Sequence, residues 1–110
     1  MHGFQLKLYM HENSKHKGIL LYEWLLEKAK EMHIHGGSVF RAIAGFGRHA
    51  TIHEEHFFEL ASNTPLEVVF VLAKEECDLF MSMLENEHLN IFFVKVPVEF
   101  GLLNGANKEK

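Results

Sequence analysis

The sequence predicts an α+β domain: one antiparallel sheet carrying two helices on one face, in chain order β-α-β-β-α-β. Three observations carry this expectation. Apolar residues alternate at period two in Phe4–Met10, and runs rich in β-branched residues fill Ser38–Ala44, Leu66–Leu72 and Ile91–Val98. Two intervening stretches change to helical spacing. At 110 residues the chain has the length of one domain, with residues 1–100 forming it and 101–110 a small, polar tail expected to be mobile.

The first strand places Phe4, Leu6, Leu8 and Met10 on one face. His11–Gly18 is polar and reads as an exposed loop. From Ile19 to His35, Leu21, Leu25 and Met32 repeat on one side with Tyr22, Leu26 and Ala29, and charged residues Glu23, Glu27, Lys28, Lys30 and Glu31 take the other. Gly36-Gly37 is the expected stop, with His33-Ile34-His35 as polar helix-end residues and Trp24 packing at the helix edge. The second strand, Ser38–Ala44, breaks into a polar excursion, Gly45–His56, expected to be flexible. Phe57–Leu60 is left open between strand and helical turn, and Ala61–Pro65 is turn chemistry.

Leu66–Leu72 is the most strand-like segment, with three valines. Lys74–Glu87 carries Cys77, Phe80, Met81 and Leu84 on one stripe, which makes Cys77 a small core residue. His88-Leu89-Asn90 ends that helix. Pro97 puts the last strand at a sheet edge. This order is the split βαβ, or ferredoxin-like, arrangement. Two helices cover one sheet face, yet Leu66, Val68, Phe70 and Leu72 and also Val69 and Val71 are apolar, as are Ile91 and Phe93 and also Phe92, Val94 and Val96, so these strands are apolar on both faces. That second face therefore implies burial by copies of the same chain, an obligate homo-oligomer.

Eleven basic and fifteen acidic residues give a formal charge of −4, which argues against nucleic-acid binding by a basic surface. Protonation of the nine histidines would reverse that sign in mild acid. One cysteine excludes an intramolecular disulfide and fits a reducing compartment. Met1–Met10 lacks a signal-peptide core and no apolar run reaches membrane-spanning length, so a soluble, cytoplasmic protein without membrane insertion is expected.

The candidate site follows the second strand. Arg41 and Arg48 offer planar donor forks to phosphate or carboxylate, while Gly45 and Gly47 admit a ligand close to the backbone. Phe46 could stack on a base, and Lys95 would add charge from what is taken as the neighbouring strand. The expected ligand is a small anionic effector whose arrival reorders the following loop. An alternative is a divalent-metal site for Zn²⁺ or Cu²⁺ on His49, His53 and His56, spaced i, i+4, i+7 with Glu54 and Glu55 between them. No nucleophile elbow, P-loop or matched carboxylate pair points to an enzyme.

Leu21-Tyr22-Glu23, Gly36-Gly37-Ser38-Val39, Arg41-Ala42-Ile43-Ala44-Gly45-Phe46-Gly47, Ile52-His53 and Pro65–Leu72 together resemble the PII-like family long classed as domain of unknown function one-ninety. The likeness runs from about Leu6 to Val98. It implies a homotrimer related to nitrogen-regulatory PII signalling proteins, with three sheets around a central axis. It further implies an adenine nucleotide or another small effector in the clefts between subunits. The loop at about Gly45–His56 would then contact a regulated partner, a membrane transporter or another protein. The wider fold group includes divalent-cation tolerance proteins. The long basic C-terminal segment that holds phosphates in some PII proteins has no counterpart here.

Overall fold

In a computed structural model of the chain, residues 1–45 and 64–104 are described. Their elements are β1 (His2–His11), β2 (Lys15–His16), β3 (Ile19–Leu20), α1 (Leu21–Glu31), β4 (Gly37–Arg41), β5 (Pro65–Ala73), α2 (Lys74–Asn86) and β6 (Phe92–Glu99). The four long strands form one sheet in the order β4-β5-β1-β6, with every pair antiparallel. This is the ferredoxin-like topology, with β1 and β4 separated by the later strand β5.

Period-two alternation sets the faces. Leu6, Leu8 and Met10 of β1 and Leu66, Val68, Phe70 and Leu72 of β5 are all buried beneath the helices. Against them pack Leu21, Trp24, Leu25 and Ala29 of α1 and Cys77, Phe80 and Leu84 of α2. Phe70 and Phe80 meet edge to face, ring centroids 5.2 Å apart, at the centre. Each fully buried side chain of this size contributes about 1.5–3 kcal/mol. Cys77 is a buried core thiol, as its stripe implied.

Both helices end through a histidine in the left-handed region. In α1 the His33 N–H (φ 64°) donates to the Lys30 carbonyl and the Ile34 N–H to the Ala29 carbonyl, each at 3.0 Å. In α2 the His88 N–H (φ 58°) donates to Glu85 at 3.0 Å and the Leu89 N–H to Leu84 at 3.3 Å. This is the paired 5→2 and 6→1 closure of a Schellman motif, with Ile34 and Leu89 folding back as its apolar residues. The first helix therefore stops before Gly36-Gly37, correcting that expectation. Gly37 instead opens β4 opposite Phe70, where no Cβ fits.

The His11–Gly18 run is also more structured than its polarity suggests. Lys17 (φ 54°) and Gly18 (φ 83°) form a two-residue turn joining β2 to β3, the I′ geometry that a right-twisted hairpin favours. The hairpin is pinned to the end of α2. His16 Nε2 lies 2.9 Å and Lys17 Nζ 3.1 Å from the Glu87 carboxylate, and the His16 ring stands edge-on to Trp24 at 4.6 Å. His16 and Lys17 hold the Glu87 carboxyl below its ordinary value. Trp24 is thus a core residue rather than an edge one, 5% exposed.

β4 is shorter than expected, ending at Arg41 rather than Ala44. The open sheet face carries two apolar bands. Phe40, Val69 and Val71 form one on β4 and β5, and Phe92, Val94, Val96 and Val98 form the other on β6. Phe40 is 56% exposed and Phe92 49%. Between them β1 alternates polar, presenting Gln5, Lys7 and Tyr9, with Lys7 3.9 Å from Glu67. Burial, then the Glu67 charge, pushes the Tyr9 hydroxyl up. Among the described residues no helix is long and apolar enough to cross a membrane.

Candidate functional site

The end of β4 gathers charge because of register. His11 pairs with Pro65 across β1 and β5, and Leu66 pairs with Arg41 across β5 and β4. Thr64, just ahead of β5, and Glu12, just beyond β1, therefore meet beside Arg41. Two backbone bonds close the arrangement: Glu12 N–H to the Thr64 carbonyl at 2.8 Å, and Ala42 N–H to the Pro65 carbonyl at 2.9 Å.

The Glu12 carboxylate is shared. One oxygen accepts from Arg41 Nη2 at 2.6 Å and the other from the Thr64 hydroxyl at 2.9 Å. These two donors, Arg41 first, hold the Glu12 carboxyl below its ordinary range, and Glu12 in turn raises the Arg41 guanidinium further. Glu12 is the site residue that sequence reasoning missed. It sat in a polar run with no spacing signal, and only the strand register brings it to Arg41. Beside the pair is a recess of about 170 Å³ lined by Glu12, Tyr22, Val39, Arg41 and Leu66. The Arg41 side chain remains 62% exposed, so a guanidinium with five N–H donors keeps several facing outward.

Arg41 stands in this recess on the helix-side parity of β4, together with Val39. Gly45 follows after a bend, with nothing within 4 Å of a Cβ placed on it. Lys95 does not come from a neighbouring strand. Its strand, β6, is the opposite edge of the sheet, because β5 and β1 lie between it and β4. That is roughly 14 Å at ordinary strand spacing. Lys95 sits over the Phe4 ring, Nζ 4.5 Å from the centroid. Phe46, Gly47 and Arg48 lie outside the described residues, as do His49, His53 and His56 and most of the Gly45–His56 and 101–110 segments. Among the described residues no group of three histidine, cysteine or acidic side chains is arranged to hold a metal ion.

The end of β4 thus brings together an exposed guanidinium paired to Glu12, an adjoining recess and a tyrosine in its wall. Comparison with known proteins agrees in fold. The chain is similar to CPII of Thiomonas intermedia K12, a structure described as bound to ADP and bicarbonate, at 13% identity and a TM-score of 0.59, covering 94% of this chain and 95% of that one. A second structure of that protein, a nitrogen regulatory PII-like protein bound to ADP, AMP and bicarbonate, aligns at 11% identity and a TM-score of 0.51, covering 93% and 100%. A Thermus thermophilus protein described as PII-like and signalling aligns at 14% identity and a TM-score of 0.52, covering 96% of each chain. In sequence, the UPF0166 protein of Aquifex aeolicus (strain VF5) is 34% identical over 83 residues, 76% of this chain and 79% of that protein. The model of the uncharacterised conserved family DUF190 ("Uncharacterized ACR") matches residues 3–98, and with the ferredoxin-like sheet and its PII-like likeness in place, the chain belongs to that family.

Proposed function

We propose that this chain is a PII-like regulatory protein that binds a small anionic effector, an adenine nucleotide, in clefts between the copies of a homotrimer. The segment after β4, about Gly45–His56, reports the effector to a regulated partner. The observation that carries the reading is the sheet face left uncovered by the helices, with Phe40 56% and Phe92 49% exposed. Bands of this kind are buried by association in proteins that keep them. Adenine nucleotides are supported by the similar structures described as holding ADP and AMP. The opposite-edge placement of Arg41 and Lys95 fits a cleft between copies, since one ligand could meet both only across such a contact.

In this reading Arg41, Arg48 and Lys95 supply charge, Phe46 stacks on the base, and Gly45 and Gly47 allow the backbone to approach. Titration calorimetry with ADP and AMP tests it. Arg48→Ala removes a charge-assisted hydrogen bond and should weaken binding by about one to two decades. Gly47→Val should weaken it by filling the space beside the backbone. Both variants should keep the oligomeric state of the parent. Absence of nucleotide binding, or unchanged affinity in both variants, would move the site elsewhere.

A further inference from the structure

The Arg41 guanidinium is not waiting empty. It is already engaged by a carboxylate of its own chain, and that carboxylate is tied by its second oxygen to Thr64. Arg41 ends β4 and Thr64 precedes β5, so Glu12 bridges the two stems of the β4–β5 connection from a third element. A ligand phosphoryl group seeking Arg41 meets a built-in competitor of the same charge and similar oxygen geometry.

We propose that Glu12 is an internal competitor for the anion site at Arg41: a tethered carboxylate that occupies the guanidinium in the free protein and gives way to a phosphoryl group. The proposal rests on the anion-binding reading above. It assigns Glu12 and Thr64, which that reading does not use. Three features support it. The Arg41–Glu12 contact is the shortest ion pair among the described residues, at 2.6 Å against 2.9–3.9 Å for the rest. The Arg41 side chain is 62% exposed and that of Glu12 25%, so a ligand can approach the guanidinium from solvent and contest the carboxylate there. The recess is lined by both members of the pair together with Tyr22, Val39 and Leu66.

Tethering sets the ligand class. An intramolecular carboxylate acts at a high effective concentration, so a free monocarboxylate offers Arg41 nothing that Glu12 does not. A phosphoryl group carries more charge and more acceptor oxygens, and can engage a guanidinium in a two-point fork. The site therefore selects phosphorylated ligands over simple carboxylates. Thr64 is a positioning residue: its hydroxyl keeps Glu12 aimed at Arg41, and its loss lowers that effective concentration without touching the ligand.

The test titrates wild type, Glu12→Gln, Thr64→Val, Arg41→Ala and the Arg41→Ala/Glu12→Gln double variant with ADP and with acetate, each variant first checked for its oligomeric state and a cooperative unfolding transition. Glutamine keeps the size and can still accept from Thr64, but cannot neutralise Arg41. The proposal expects Glu12→Gln to bind ADP about fivefold or more tightly than wild type, from the lost competing pair and the lost like charge. Thr64→Val should fall between the two, and Arg41→Ala should lose the gain in an Arg41→Ala/Glu12→Gln pair. Acetate should bind measurably only once Glu12 is replaced. Equal ADP affinity in wild type and Glu12→Gln, abolished in Arg41→Ala, would overturn the competitor and leave the anion site standing. Affinity indifferent to Arg41, or no binding by any form, would overturn both.

Discussion

Replacing Gly37 by alanine adds one methyl group at a place with no room for it. Its Cβ would lie 2.6 Å from Cδ1 of Phe70 and nearer still to Cε1, with Leu26 Cδ2 at 3.3 Å. Phe70 cannot step aside: it is 1% exposed and held edge to face by Phe80. Either β4 lifts away from β5 at its first paired residue or the central aromatic pair shifts. Overpacking of this kind costs about 1–3 kcal/mol. The loss of glycine's freedom in the unfolded chain returns about 0.4–1 kcal/mol. The net destabilisation should be about 1–2 kcal/mol, a drop of roughly 5–10 °C in melting temperature for a domain this size. Gly36, the adjacent glycine, has nothing within 4 Å of its Cβ position, so Gly36→Ala should be neutral or slightly stabilising. Urea unfolding at one fixed protein concentration reads both, with unchanged slope and a lower midpoint only for Gly37→Ala. Equal midpoints for Gly37→Ala and wild type, or a larger loss at Gly36, would refute the packing account of β4.

Other outcomes follow from single contacts. Glu12 and Glu87 both have carboxyls lowered from the ordinary 4.5 by their partners, so their stabilisation is full above that value and is lost as pH falls below it through the lowered folded values. A Glu12→Gln/Glu87→Gln variant should show a shallower fall in urea midpoint than wild type between neutrality and about pH 3. Gly18→Ala forces a Cβ into the left-handed region at φ 83° and should cost about 1 kcal/mol, read as a lower midpoint. Cys77 is fully buried and its thiol is pushed up by that burial, so it should react with a thiol reagent only at the rate of unfolding.

Much of the fold was legible because the core elements state their periods plainly. Leu66–Leu72 and the Cys77, Phe80, Leu84 stripe became β5 and α2 nearly at the expected bounds. What was missed depends on backbone geometry or register. Residues 15–20 are too short and too polar to alternate, and only the Lys17–Gly18 turn marks their hairpin. Gly36-Gly37 offered the usual helix stop, but His33 took the left-handed position and left Gly37 free to meet Phe70. The apolar residues on both faces of β5 and β6 were legible in their runs, but that β1, with Lys7 and Tyr9, lies between the two apolar bands follows only from strand order. At the end of β4, Arg41 was singled out by its residue type. Glu12 was not, since its pairing arises from the alignment of three strands. Lys95 was taken to lie on a strand neighbouring β4, but the split βαβ strand order puts β6 at the opposite edge of the sheet.

Native mass spectrometry of the full chain with added ADP tests the central claim most directly, since one spectrum reports both assembly and occupancy. The account predicts an ion series at three times 12.7 kDa with discrete ADP additions that disappear when Arg41 and Arg48 are replaced. A 12.7 kDa monomer at micromolar concentration, or a trimer that takes up no nucleotide, would contradict it.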